Sequence, residues 1–194
     1  MIRRLLLSPA IRPFVLIMLL LLLWDLSIRL FKVPAYLIPP PGQVVDQLVT
    51  EWSRLLKESW MTTQATLGGF ALTIVIGIPL AMVIAYSKLV ESYVYPLLVF
   101  SQSIPKVAIA PLFVVWFGFG IVPKIISAFL LGFFPVVVST VMGFKSVEPD
   151  MLDLARSMGA SRLQTFFKIS LPQALPAIFS GLKVSITLAV VGAV

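Results

Sequence analysis

The chain has 194 residues, of which 59% are hydrophobic and only 12% charged, about half the charged share of a soluble domain. Its net charge of +7 does not point to nucleic acid, because the basic residues stand at the ends of apolar runs, where they set membrane orientation. With neither cysteine nor histidine present, disulfide, thiol and zinc-thiolate chemistry are excluded, as is histidine acting as base or metal ligand.

Five apolar segments, at residues 14–30, 67–86, 94–117, 125–144 and 175–194, approach the roughly 20 residues that carry a helix across about 30 Å of hydrocarbon. Unpaired peptide groups in lipid cost several kcal/mol each, so these segments must be helical. The fold class expected is all-α, a polytopic transmembrane helix bundle. The first segment follows Arg3, Arg4 and Arg12 and so mimics a secretory leader. It continues into Asp25, Leu26 and Ser27 with no small-x-small cleavage site, so an uncleaved first span is expected, with residues 1–13 before it. Asp25 and Arg29, four residues apart, share one helix face and suit an i,i+4 ion pair.

After the first span, Pro39, Pro40 and Pro41 predict an extended turn. Residues 44–60 follow as an amphipathic helix, with Val44, Val45, Leu48, Trp52, Leu55 and Leu56 at helical spacing. It either lies on the outer interface or serves as a connector. In the second and fourth spans, Pro79 and Pro135 are expected to bend their helices, and Gly68, Gly69, Gly77, Gly132 and Gly143 to permit close helix packing.

The third span is unusual. It holds Ser101, Gln102, Ser103, Pro105, Lys106 and Pro111 within apolar sequence. A lysine in hydrocarbon costs at least about 2.5 kcal/mol, so Lys106 should face the bundle interior or snorkel. Each proline frees a backbone carbonyl, which is tolerated where it lines a cavity. The expectation is a broken helix lining a translocation path, with Lys106 attracting an anion. Lys183 in the fifth span is placed at the interface or toward the bundle, without a decision between them.

Lysine and arginine bias gives one orientation. Arg3, Arg4 and Arg12 put the N-terminus in the cytoplasm, together with the Lys88 loop and the long loop bearing Lys145, Arg156, Arg162 and Lys168. That loop, residues 145–172, is polar and helix-forming. Pro149 suits a first helical turn, and Asp150 and Asp153 sit near its positive end. Met151, Leu154, Ala155 and Met158 recur on one face, and Gly159 suits a helix end with positive φ. Ser161 is expected to cap a second short helix through Gln164, Phe166 and Phe167, before Leu171–Pro172 turns the chain into span five.

Within this loop Asp153, Ala155, Gly159, Ile169, Leu171 and Pro172 stand at the spacing E-A-A-x3-G-x9-I-x-L-P, with Asp for the first Glu and Leu154 for the first Ala. That spacing resembles the signature of the membrane subunits of binding-protein-dependent ABC importers. The segment V-P-x-x-L-x-P-x-P-x-x-V from Val33 and the run I-P-K-V-A-I-A-P-L from Ile104 resemble nitrate, sulfonate and taurine-type permeases of that family. The resemblance implies a type I importer permease domain over residues 14–194, in the inner (plasma) membrane. Members carry six spans, so the chain is expected to stop within span five, with the sixth missing.

By the same resemblance, Asp153, Leu154, Ala155, Met158, Gly159, Ile169, Leu171 and Pro172 dock on a cytoplasmic ATPase subunit. Two permease copies, in a homodimer, would form the pore in the lipid bilayer, and an extracytoplasmic solute-binding protein would deliver substrate. The solute would be a small anion such as nitrate, a sulfonate or taurine, or else a thiamine precursor or other small organic molecule. No cofactor is expected on the chain. It lacks the G-x-x-x-x-G-K-[ST] phosphate loop, so any work drawn from ATP must come from a partner. An intramembrane enzyme is disfavoured because Asp25 is the only acid within a span and no Ser or Thr has an evident base. A gradient-driven carrier would place ionisable groups on several helices, and a passive scaffold gives no reason for the cytoplasmic loop.

Overall fold

A computed structural model describes residues 11–194, except for the side chains of Lys106 and Val107. Arg3 and Arg4 lie outside the described residues. The described residues form helices and connecting turns without a strand. The chain divides into two units, Met1–Glu58 and Ser59–Val194.

In the first unit, α1 (Arg12–Phe31) spans 20 residues, about 30 Å of helix, which matches the hydrocarbon thickness. Its side chains are exposed along nearly their whole length, as suits a span that faces lipid. Arg29 Nε meets Asp25 Oδ2 at 2.7 Å, the pair that the spacing predicts. Lys32 closes the helix in the left-handed region, its N–H donating to the Ile28 carbonyl.

The predicted extended turn ends one residue early, because Pro41 opens a helix, α2 (Pro41–Thr50). Proline fits this first position, where the N–H it lacks would have no partner anyway. The single amphipathic helix over residues 44–60 is not formed. The chain breaks at Glu51 (φ −98°, ψ 17°), and Trp52–Trp60 becomes the start of α3 (Trp52–Tyr86). At 35 residues α3 is about 52 Å long, so its polar first turns extend well beyond the hydrocarbon.

The second unit contains the rest of α3, then α4 (Lys88–Gln102), α5 (Lys106–Phe117), α6 (Ile121–Lys145), α7 (Pro149–Ser157) and α8 (Arg162–Ala193). Among the described residues, α1, α3, α6 and α8 are long and apolar enough to cross a membrane singly. The third predicted span is two helices, α4 and α5, that meet at Ser103–Pro105. Pro105 cannot donate a backbone hydrogen bond and bars Ile104 from helical geometry, so the break follows from sequence.

The core is organised on α6. A Cβ built on Gly143 would lie 2.9 Å from the Ala174 carbonyl oxygen, and one on Gly181 2.7 Å from Ser139 Cβ. One on Gly192 would lie 2.7 Å from the Ser127 carbonyl oxygen. Positions on α6 fall as those on α8 rise, so the two helices run antiparallel along a seam of small residues. Helix α3 runs parallel to α6, with Gly69 against Ala128 and Gly77 against Val137. Lipid tails are as apolar as leucine, so burial alone cannot hold such helices together. Close approach and van der Waals contact must do so, and glycine permits both.

Both long helices that contain a proline near a turn of wider pitch show the same device. A π-turn at Thr73–Gly77 precedes Pro79, and another at Phe166–Ser170 precedes Pro172. The turn absorbs the missing N–H without breaking the rod. The expected turn into span five at Leu171–Pro172 is therefore absent. Helix α8 runs unbroken from residue 162 to residue 193, through Leu171 and Pro172.

Candidate functional site

The loop over residues 145–172 folds as a knob made of α7, a tight turn and the first turns of α8. Glu148 and Pro149 open α7 in extended-to-helical geometry. At its other end Gly159 adopts φ +78°, a left-handed conformation that costs a residue with a Cβ about 1–2 kcal/mol. The Ala160 N–H donates to the Ala155 carbonyl at 3.0 Å and the Gly159 N–H to the Arg156 carbonyl at 2.9 Å. These are the two bonds of a Schellman closure. Two residues later the Gln164 N–H donates to Ser161 Oγ at 3.2 Å, and the Ser161 N–H donates to Gln164 Oε1 at 2.9 Å. This reciprocal capping box starts α8.

Most of the predicted docking residues gather on one side of the knob. Leu154, Ala155, Met158, Gly159 and Ile169 line an open groove of about 470 Å3. Ala155 is buried at its floor, whereas Leu154 is 60% and Met158 78% exposed. Leu154 within α7 and Met158 at its C-cap thus leave apolar surface uncovered by the described residues. The other three residues have different surroundings. Asp153 pairs with Arg156 at 2.9 Å on the surface. Leu171 turns inward onto the cluster of Phe144, Ala174 and Ile178. Pro172 is exposed just beyond the π-turn.

Sequence reasoning missed what fastens the knob to the spans. Tyr86 at the end of α3, Phe144 near the end of α6 and Phe166 in the π-turn of α8 form one aromatic cluster. Tyr86 and Phe144 ring centroids are 5.7 Å apart, and Phe144 stacks on Phe166 at 5.9 Å. Such pairs contribute about 0.5–1.5 kcal/mol each beyond their burial. Lys145 also bonds Glu91, tying the end of α6 to the start of α4. Gln173 Nε2 reaches Met151 Sδ at 3.0 Å and ties α7 to α8. These aromatic contacts join the first turns of α8 to the ends of α3 and α6. Aromatic residues at three span ends were the available signal, but only the fold shows that they meet.

The polar stretch of the third segment lies at the α4–α5 break. Ser101 is partly buried and its hydroxyl donates to the Leu98 carbonyl at 2.7 Å. Gln102, Ser103 and Pro105 are exposed on the surface of the chain, as is Pro111 within α5. The Lys106 side chain lies outside the described residues.

The model of the family of binding-protein-dependent transport system inner membrane components matches residues 73–194, from the first π-turn through the knob to the end of α8. The chain belongs to this family. As a permease of the ABC importer class it is an inner membrane transport subunit, not an enzyme. It is 39% identical over 185 residues to the formylaminopyrimidine transport permease of Halalkalibacterium halodurans, covering 95% of this chain and 74% of that one. It is 35% identical over 188 residues to the riboflavin transport system permease of Chloroflexus aurantiacus, covering 96% and 70%. With the taurine transport system permease of Escherichia coli, identity is 33% over 178 residues, covering 86% and 63%. Resemblance to the taurine and sulfonate permeases thus holds for this permease, within a family whose members carry several substrates in their names.

Proposed function

We propose that the chain is the membrane-spanning permease of an ATP-driven importer, with ATP hydrolysed on a separate cytoplasmic subunit docked on the knob. The observation that carries this reading is the exposed apolar face of Leu154 and Met158 beside Gly159, on a knob continuous with the 32-residue rod of α8. When the ATPase subunits close on ATP, the knob moves with them and the attached spans rock as rigid bodies. The basic residues Lys88, Lys145, Arg156, Arg162 and Lys168 support a cytoplasmic placement of the knob, and with it a cytoplasmic N-terminus.

A second copy of the chain completes the pore. Non-helical backbone at membrane depth is tolerated only where protein covers it or where it lines a watery cavity. The exposed break at Ser103–Pro105, flanked by Ser101, Gln102, Lys106 and Pro111, is such backbone and supports a path between two copies. A solute-binding protein on the outer side delivers the substrate. Solubilised from native membranes, the permease is expected to co-purify with an ATPase subunit, and uptake by the recovered complex to require ATP. Recovery without any nucleotide-hydrolysing partner overturns the reading.

The substrate we infer is a small organic solute. Relatives named for formylaminopyrimidine and riboflavin match over 95% and 96% of the chain, against 86% for the taurine relative, and so favour a planar heterocycle over a small anion. Lys106→Gln separates these. Loss of a lysine that attracts an anion in the path should lower uptake of a sulfonate about tenfold, the equivalent of about 1.4 kcal/mol. Uptake of an uncharged heterocycle should fall less than about twofold, a difference of under about 0.4 kcal/mol. Competition assays with both solute types on one preparation read the outcome.

A further inference from the structure

The knob carries a second and larger groove, of about 710 Å3, which meets the first at Ala160 and Thr165 but is not lined by Leu154 or Met158. Its inner wall is Met82 and Tyr86 of α3 with Phe166 and Phe167 of α8, and Arg156 and Arg162 stand over it. No carboxylate lines it. Arg156 is already engaged by Asp153, whereas among the described residues no acidic partner is within 4.0 Å of the exposed Arg162 guanidinium. Met82 lies one turn inside the end of α3, about 6 Å deeper than Tyr86 at a rise of 1.5 Å per residue. The groove therefore begins at the level of the cationic rim and continues into the depth of a membrane span. A water-soluble protein surface can cover the rim but cannot follow the wall into hydrocarbon.

We propose that this groove holds an anionic phospholipid, its phosphate bonded by Arg162 and Arg156 and one acyl chain lying along Met82, Phe166 and Phe167. Guanidinium forks match phosphate oxygens in charge and geometry, and basic pockets between membrane helices on the cytoplasmic side select anionic headgroups. The Tyr86 hydroxyl, at the end of the span, adds a donor at headgroup level. A lipid seated here touches α3, α7 and α8 at once, so it fills the space between the knob and the span beside it. The proposal goes beyond the transport reading and shares with it only the cytoplasmic placement of the knob.

The test uses the intact transporter in nanodiscs of mixed phosphatidylglycerol and phosphatidylcholine, with retained lipid counted by native mass spectrometry. The wild type is expected to retain phosphatidylglycerol in preference to phosphatidylcholine. Arg162→Gln should lower that retention about tenfold, as loss of one charge-assisted bond implies, and Arg162→Lys should restore at least half of it. Equal retention by wild type and Arg162→Gln, or equal retention of the two lipids, overturns the proposal. So does displacement of the lipid by inorganic phosphate alone, which would mark a site for a free anion. If Arg162→Gln instead weakens ATPase binding with lipid retention unchanged, the groove belongs to the docking surface and the lipid site is again overturned. ATP-dependent uptake is measured on the same preparation, so a wild type that imports normally yet retains the two lipids equally removes this inference and leaves the transport reading standing.

Discussion

Replacing Gly159 with Asp is expected to abolish ATP-driven uptake, by at least about tenfold, while the amount of permease in the membrane stays within about twofold of wild type. The reasoning separates what the chain feels from what a docked partner feels. At φ +78° any Cβ is strained, but Asp tolerates the left-handed region better than most residues, so the folding cost is about 1 kcal/mol. A Cβ on Gly159 would meet no heavy atom within 4 Å, so nothing inside the chain is displaced. A loss of that size leaves a protein of ordinary stability folded. The docked state is different. The new carboxylate stands beside Leu154 and Met158, whose apolar surface the proposed partner would bury, and an unpaired charge in such a contact is strongly unfavourable. Gly159→Asn matches Asp in shape without its charge and should keep more of the uptake. The measurement is ATP-driven uptake in proteoliposomes beside capture of the ATPase subunit by each variant. Wild-type uptake and capture with Gly159→Asp would remove the docking assignment, and equal losses with Asn and Asp would assign the effect to shape alone.

What was legible in the sequence follows from the range over which each feature is decided. Gly159 as a helix end and Ser161 with Gln164 as the next start were readable because the bonds that fix them close within three to five residues. The span positions were readable because the bilayer imposes a length and a polarity on each helix separately. Prolines gave mixed results for a local reason. Pro105 breaks its segment as expected, but Pro41 opens a helix and Pro172 sits inside one beside a π-turn. The same residue stops, starts or is carried by a helix according to hydrogen bonds that its neighbours make, and composition does not specify those. Leu171 was read with the docking face from its motif spacing, yet it packs inward, because the unbroken helix rotates it toward Phe144 and Ile178. The contacts of Tyr86 with Phe144 and Phe166, and of Glu91 with Lys145, join residues 54 to 80 apart in sequence. No periodicity within one segment encodes such adjacency. The glycines were readable as packing devices but not as to which ones matter.

That last distinction gives the largest expected effect on stability, because adjacent Gly68 and Gly69 should behave in opposite ways. A Cβ on Gly69 would lie 2.5 Å from Ala128 Cβ, 2.7 Å from the Phe129 nitrogen and 2.8 Å from the Ile125 carbonyl oxygen. Two of these atoms are the backbone of α6 and the third is fixed to it, so no rotamer change relieves the clash. The helices must separate by about an ångström, and van der Waals contact is lost along their shared face, where lipid supplies no compensating drive. Thr73, one turn further along α3, has its hydroxyl 3.4 Å from the Phe129 carbonyl and would lose that contact as well. A Cβ on Gly68, by contrast, meets the Ile125 side chain at 3.3 Å, and the end of that side chain can rotate aside. Gly69→Ala should therefore cost about 3 kcal/mol, at the upper end of overpacking effects, and Gly69→Val more. Gly68→Ala should cost less than about 1 kcal/mol, since only a rotamer changes. Thermal unfolding of the detergent-solubilised variants, with abundance in the membrane as a second reading, should rank wild type and Gly68→Ala together and Gly69→Ala well below both. If Gly69→Ala melts with Gly68→Ala, then α3 and α6 do not pack through Gly69, and the two helices meet along a different face.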